Sequence, residues 1–280
     1  TSSPAWPLFG ADRQNTGHNT GTTGPKEGLE AAWTTEIDAG LNGTPVVDDD
    51  TLVVSSYDES VYGLDANTGD RKWDADYSSK YTPTIHDGTV YVSSSDKQVV
   101  ALDADTGEER WVVEEDPRIA PLVVDGSVYV GGYQYGTQDG RDIGTNPIYK
   151  YDADTGDREI LRDYPFDEEA ARYPRAFALA DNSLVFPAKE SVRSVDLETG
   201  EQEWRFDIDR DDLDMSKGNA VVADGTVYAA DVMNLDNPYL YAIDAETGEE
   251  RWRFYDDEIS KLEGDPAVAD GVVYILYNKS

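Results

Sequence analysis

The 280-residue sequence predicts an all-β fold built from four-stranded antiparallel units, on three observations. A ten-residue string recurs five times: LDANTGDRKW (64–73), LDADTGEERW (102–111), YDADTGDREI (151–160), VDLETGEQEW (195–204) and IDAETGEERW (243–252). A second string recurs six times: DDTLVVSSY (49–57), DGTVYVSSS (87–95), DGSVYVGGY (125–133), DNSLVFPAK (181–189), DGTVYAADV (224–232) and DGVVYILYN (270–278). Finally, no segment sustains a 3.6-residue apolar period, and Asp167–Ala171 has room for one helical turn at most.

Each unit reads as four strands in order. A short apolar piece, as in TPVV (44–47) or TPTI (82–85), is strand A. An Asp-Gly turn such as Asp87-Gly88 closes a tight hairpin into strand B, which alternates as in Val90-Tyr91-Val92. Strand C runs into the Asp-x-x-Thr-Gly turn, where the aspartate accepts backbone and threonine hydrogen bonds and glycine supplies a positive φ. Strand D carries the tryptophan, expected to dock on the next unit. The second string starts at intervals of 38, 38, 56, 43 and 46 residues. Four-stranded repeats of roughly 40 residues predict a β-propeller, its sheets set radially around a channel.

The expected organisation is a single domain over 1–280. An N-terminal extension occupies 1–30, and blades fall at about 43–76, 82–115, 120–163, 176–209, 219–255 and 264–280. Residues 31–37 (AAWTTEI) read as a strand D with no A, B or C before it, and are expected to complete the last blade. That makes six blades; a seven- or eight-bladed ring containing them is the other reading. Trp33, Trp73, Trp111, Trp204 and Trp252 are the expected blade-docking residues. The third unit has Ile160 at that place, which predicts a less aromatic junction. Strand C of the last blade is missing. Residues 5–9 fill the gap, or the ring is larger, or another chain donates a strand. The sequence leaves the three open.

The chain carries 58 Asp+Glu against 23 Lys+Arg, a formal net charge of −35. Self-repulsion on this scale destabilises a compact chain in dilute buffer and is screened at molar salt, where the Debye length is about 3 Å. The acidic, lysine-poor composition resembles that of proteins from salt-loving archaea. It argues against nucleic acid and against an anionic membrane surface as partners, because both need clustered Lys and Arg. There is no cysteine, which excludes disulfides, thiolate metal sites and cysteine nucleophiles. No apolar run approaches the ~18 residues of a membrane span. No charged segment followed by an apolar one opens the sequence.

The recurring Ala-x-Asp-x-x-Thr-Gly-x-x-x-Trp pattern resembles the tryptophan-docking repeat of pyrroloquinoline-quinone (PQQ)-like propellers. Trp6-Pro-Leu-Phe-Gly-Ala-Asp12-Arg13-Gln-Asn-Thr-Gly17, followed by Trp33, is similar to the N-terminal segment of such proteins. The resemblance covers about residues 5–278 and is specific for fold but weak for function. The family includes quinoprotein alcohol and glucose dehydrogenases and the propeller lipoprotein of the outer-membrane β-barrel assembly machine. It also includes small secreted or lipid-anchored members in salt-loving archaea, which this sequence resembles most. For the dehydrogenases, the resemblance implies PQQ, a calcium ion and a catalytic Asp, and in many an adjacent Cys-Cys disulfide. This chain lacks cysteine and matches no Glu…Asn…Asp calcium set. No catalytic residue, metal or cofactor is therefore expected, with PQQ and calcium kept as the alternative.

Other candidates are fewer. The two histidines, His18 and His86, sit in a Gly/Thr-rich segment and beside a turn, where spacing supplies no metal or triad partners. Asp207, Asp209, Asp211, Asp212 and Asp214 begin with the spacing of an EF-hand loop. Asp212 then stands where its sharp-turn glycine belongs and Gly218 where its bidentate glutamate belongs, so a solvated loop is expected. The third unit carries an insertion at 131–148, and a shorter one, Met233–Pro238, lies at the same place in the fifth. Tyr133, Tyr135, Arg141 and Asn146 in the longer insertion are the candidate contact residues, because exposed tyrosine and arginine suit protein or glycan recognition.

The expected function is a non-catalytic interaction scaffold, extracellular or at the cell surface, secreted or lipid-anchored, in a high-salt organism. Its partner would be a protein, a glycan or another copy of itself. The alternatives are a PQQ- and calcium-dependent oxidoreductase, a degenerate relative binding a small molecule, and a self-assembling structural subunit.

Overall fold

The computed structural model describes residues 6–18, 28, 30–138, 141–165, 176–209, 215, 218–232 and 238–279. Among them lie six antiparallel sheets and no α-helix. The first sheet is β1 (Leu41–Asp48), β2 (Thr51–Ser56), β3 (Val61–Asp65) and β4 (Arg71–Ala75). The second is β5 (Thr84–His86), β6 (Thr89–Ser94), β7 (Gln98–Asp103) and β8 (Glu109–Glu114). The third has five strands: β9 (Leu122–Val124), β10 (Ser127–Gly131), β11 (Gln134–Gln138), β12 (Arg141–Asp152) and β13 (Arg158–Pro165). The fourth is β14 (Ala178–Ala180), β15 (Ser183–Pro187), β16 (Ser191–Asp196) and β17 (Gln202–Asp207). The fifth is β18 (Ala220–Ala223), β19 (Thr226–Ala230), β20 (Leu240–Asp244) and β21 (Glu250–Phe254). The sixth has only β22 (Ile259–Ala269) and β23 (Val272–Lys279).

Two compact units account for these elements. Described residues within Thr1–Asp12, Asn19–Val130 and Lys150–Arg158 form one. Those within Arg13–His18, Gly131–Tyr149 and Glu159–Ser280 form the other.

Local chemistry explains the hairpins. Between β5 and β6, Asp87 and Gly88 both have positive φ, 46° and 67°. That is the type I′ geometry whose twist matches the flanking strands, and it sets the register His86↔Thr89. At the C–D turns the aspartate holds the chain. Asp103 Oδ1 accepts from the backbone N–H groups of Asp105 and Thr106 at 3.1 and 3.0 Å. Asp65, Asp152, Asp196 and Asp244 repeat the arrangement.

The central strands are buried on both faces, as in β6, where all six residues are covered. Their sequences are accordingly near-continuous apolar runs. In the first unit, Val53, Val61 and Trp73 pack with Ile85, Val90 and Val100 of the second sheet. In the second unit, Val185, Val192 and Trp204 pack with Val222, Val227 and Ile243 of the fifth sheet. Val273 and Ile275 of β23 pack against a further cluster formed by Ala230, Val232, Leu240, Ile259 and Leu262.

The N-terminal segment departs from two of the sequence readings, 31–37 as a strand and 5–9 as the missing strand of the last blade. Residues 31–37 carry no strand. Residues 6 and 7 lie with the first two sheets: Trp6 bridges to Val47, and Pro7 O accepts from Ile85 N at 2.7 Å. The physical reason is pairing supply. The edges of β1 and β5 not paired within their sheets present unsatisfied backbone groups, and Trp6–Pro7 satisfies some of them.

Candidate functional site

The repeated docking site is the best-defined piece of geometry. A register shift in the four C–D pairs that carry a tryptophan, as between Gly63 and Leu64 opposite β4, sets the ring. Trp73 Nε1 donates to Ala104 O at 2.8 Å, Trp111 to Ala153 O at 2.9 Å and Trp204 to Ala245 O at 2.9 Å. Each ring lies flat on the glycine of the next turn. A Cβ on Gly107, Gly156 or Gly248 would stand 2.7–2.8 Å from ring atoms of Trp73, Trp111 or Trp204. These glycines also have φ of 71–74°, so the residue answers two demands at once, conformation and close approach. Trp33 docks in the same way, its Nε1 donating to Ala66 O at 3.0 Å above Gly69.

A small residue opposite each tryptophan completes the site: Gly63↔Trp73, Ala101↔Trp111, Ser194↔Trp204 and Ala242↔Trp252. Sequence reasoning missed this. The signal was present, because a small residue stands two places before each of these aspartates, whereas Lys150 stands there in the third unit. In that unit Ile160 is half-exposed. The carbonyl of Leu161 takes up the space over Gly200, and Arg162 donates to Gly200 O at 2.9 Å. The less aromatic junction follows from this backbone approach.

Trp252 is the exception. Trp73, Trp111 and Trp204 are 6–7% exposed; Trp252 is 42% exposed. Its ring meets that of Tyr228, with 5.9 Å between centroids.

A second set of contacts ties together the starts of the A strands. Thr44 N donates to Thr82 Oγ1, Ala176 N to Asn219 Oδ1, and Asn219 N to Asp265 Oδ1. These residues open successive apolar pieces of the repeat. The N-terminal segment also joins the first strands of three sheets of the second unit. Arg13, Gln14 and Thr16 accept through their carbonyls from Leu179, Val222 and Val268. Asn15, 4% exposed, donates through Nδ2 to Phe177 O and Ala220 O.

Two clefts open on the described residues. One, of about 470 Å³ in the first unit, is lined by Trp33, Ile37, Leu41, Pro45, Leu52 and Val54, with Glu36 and Asp38 at its edge. The other, of about 460 Å³ in the second unit, is lined by Phe206, Tyr239 and Tyr241 with Asp207, Asp209, Glu250 and Arg253. There Tyr239 stacks on Tyr255 at 5.0 Å, and Arg253 pairs with Glu250 at 2.9 Å. Aromatic faces bordered by carboxylates suit a cation or a sugar ring.

Charge is tuned at the turns. Arg110 beside Asp103, with Thr106, lowers that carboxyl to about 2, and Arg251 does the same for Asp244, also about 2. Burial and a hydrogen bond to Glu109 push the Tyr77 hydroxyl up to about 12. Arg162 and Arg193 flank the Tyr164 ring at 4.9 and 5.0 Å, and burial raises the Tyr164 hydroxyl.

The insertion forms the hairpin β11–β12, with Tyr135↔Gly144 and Gln138↔Arg141 in register. Tyr133 is half-buried just before β11. Tyr135 and Arg141 are strand residues of β11 and β12. Asn146 is 2% exposed, a strand residue of β12 and not a surface contact. His86 Nε2 lies 3.5 Å from Asp87 Oδ2 at the first turn of the second sheet, and His18 N bonds to Thr16 Oγ1. Asp207 and Asp209 are exposed; Asp211, Asp212 and Asp214 lie outside the described residues, as do residues 233–237 of the shorter insertion. Among the described residues no group of three His, Cys, Asp or Glu is placed to hold a metal ion.

Comparison with solved structures gives the fold. BamB from Moraxella catarrhalis superposes with a TM-score of 0.64 at 17% identity, over 88% of this chain and 72% of that one. A europium-containing methanol dehydrogenase gives 0.69 at 18%, over 92% and 60%. A quinohemoprotein alcohol dehydrogenase from Pseudomonas putida HK5 gives 0.67 at 19%, over 95% and 51%. The chain thus spans only about half to three-fifths of the dehydrogenases. No curated protein matches it. PQQ, which the dehydrogenase likeness brings into question, is an anion with three carboxylates. Neither described cleft fits it: the first carries only acidic charge, and in the second the one arginine is already paired with Glu250. The family model for the outer membrane protein assembly factor BamB matches residues 26–163 and 188–280, most of the sequence. This chain is a β-propeller protein of that PQQ-like, BamB-type family.

Proposed function

We propose that the chain is a non-catalytic interaction scaffold, working outside the cell or at its surface in a high-salt organism, with a protein or glycan partner. One observation carries this reading. Among the described residues, seven of the ten exposed large hydrophobics fall within 252–277: Trp252, Phe254, Tyr255, Val272, Tyr274, Leu276 and Tyr277. An apolar concentration of this kind on a chain of net charge −35 marks a surface that a partner covers. The BamB-type family, whose name refers to outer membrane protein assembly, supports a role in the cell envelope. No helix among the described residues is long and apolar enough to cross a membrane.

The test places a photo-crosslinking side chain at Tyr274 or at Tyr133 in the 280-residue protein, in molar KCl. A single crosslinked partner at either position is the expected result. No crosslink at both, together with saturable calcium-dependent quenching of tryptophan fluorescence by PQQ, would overturn the reading in favour of an oxidoreductase. The melting temperature should also rise from dilute buffer to molar KCl; a flat response removes the high-salt part.

A further inference from the structure

One junction breaks the apolar pattern of the repeat twice. Three residues before the turn aspartate, the other repeats carry Tyr62, Val100, Tyr149 and Tyr241, whereas β16 carries Arg193. Two residues after the docking position, the other repeats carry Ala75, Val113, Phe206 and Phe254, whereas β13 carries Arg162. Both arginines belong to the second unit, and they meet at one ring. Their guanidinium carbons stand 4.9 and 5.0 Å from the centre of Tyr164.

Arg193 and Tyr164 are each 1% exposed. An arginine does not shed its proton, so its charge is buried with it. Arg193 Nε donates to Ser191 Oγ at 3.2 Å, and Arg162 Nη1 donates to the carbonyl of Gly200 at 2.9 Å. Both acceptors are neutral. Among the described residues no carboxylate pairs with either guanidinium. Arg205, opposite Arg193 across the sheet, is a third cation, but it is matched by Asp207. Among the described residues no protein group accepts from Arg193 Nη2, Arg162 Nε or the Tyr164 hydroxyl, and all three atoms are buried. Burial holds the Tyr164 hydroxyl above its ordinary pKa although both guanidinium charges act on it. The phenol therefore stays neutral and does not supply the missing negative charge.

We propose that Arg193, Arg162 and Tyr164 form a buried binding site for a small inorganic anion, a halide, with chloride as the ion. Each guanidinium has one buried donor left over, not the two-pronged edge that grips a carboxylate or phosphate. Single donors from three residues suit a spherical ion. The burial of Arg193 and Tyr164 leaves no mouth for an organic acid. A water molecule would take the hydrogen bonds but leave both charges uncompensated. The ion ties β13 to β16 at the junction where Ile160 stands in place of a docking tryptophan. It also makes the protein respond to chloride in a way that screening does not, because every salt screens and only a fitting anion binds. The site goes beyond the interaction reading and does not depend on it.

The test melts the 280-residue protein at constant molar ionic strength while potassium chloride replaces potassium gluconate, whose anion is too large for the site. The melting temperature should rise with chloride and saturate. In the Arg193→Met protein the chloride-specific rise should disappear. In gluconate alone that variant should melt no lower than the wild type, because an uncompensated charge has been removed. Tyr164→Phe keeps the ring and loses one donor, so half of its rise should need at least about tenfold more chloride. Crystals of the wild-type protein soaked in bromide should show an anomalous peak within hydrogen-bond reach of Arg193, Arg162 and Tyr164. Equal melting in the two salts overturns the proposal, as does a chloride response that survives in the Arg193→Met protein. A crystal with no bromide peak, and with water or a protein carboxylate against Arg193, overturns it as well.

Discussion

Trp204 and Trp252 sit at the same place in two consecutive repeats, VDLETGEQEW and IDAETGEERW. One is 7% exposed and the other 42%. Both follow the same bulged strand pairing, opposite Ser194 and Ala242. The difference lies wholly in what comes next. Trp204 meets Ala245 and Gly248 of a complete fifth sheet, whereas Trp252 faces a sheet of two strands. The motif therefore carries half of an interface, and burial is conferred by the following unit.

Replacing the two tryptophans separates them most. Trp204→Ala should cost about 3–5 kcal/mol, the usual loss for a large buried aromatic. Trp252→Ala should cost less than about 1 kcal/mol, in line with surface substitutions. Denaturant unfolding of the two variants in molar KCl measures this, and equal losses would break the comparison.

The glycines sharpen it. Gly248 and Gly271 both have a φ of 73°, so alanine at either incurs left-handed strain of roughly 1–2 kcal/mol. At Gly271 a Cβ meets nothing within 4 Å; at Gly248 it meets the Trp204 ring at 2.8 Å. Gly248→Ala should therefore lose about 1–3 kcal/mol more than Gly271→Ala, the cost of overpacking. Equal melting temperatures would show that the ring gives way freely.

Acid supplies the smallest effect. Asp244, held near 2 by Arg251 and the turn amides, anchors the turn on which Trp204 rests. Its folded value lies below the ordinary one, so its contribution is full above about pH 4 and is lost as the pH falls toward about 2. Across that window Trp204 emission should shift to the red in the Trp252→Phe protein. In the Trp204→Phe protein the contribution of Trp252, which rests on no such turn, should stay constant.

The sequence made the local chemistry legible and the long-range chemistry hard to see. Asp87-Gly88 announces a hairpin because two residues decide it. The Asp-x-x-Thr-Gly turn declares itself because its hydrogen bonds span three residues, as from Thr106 N to Asp103. Docking of Trp73, Trp111 and Trp204 was readable from repetition alone. The handover from Thr44 to Thr82 and from Asn219 to Asp265 joins different repeats through different side chains, so no recurring letter marks it. Asn15 binds Phe177 and Ala220, 162 and 205 residues away, and no window along the chain contains both ends. Asn146 looked like loop because the insertion has no internal marker of where β12 resumes the blade; its burial comes from the strand.

The N-terminal segment also sets a clock. Arg13, Gln14 and Thr16 leave the ribosome well before their partners Leu179, Val222 and Val268, which follow 166, 208 and 252 residues later. At about 5–20 residues per second the segment waits on the order of ten seconds or more with its carbonyls open to water. Early sheets can form during that wait from neighbouring strands alone. Sealing of the later A strands waits on their own synthesis, and is slow because it closes loops of up to roughly 250 residues.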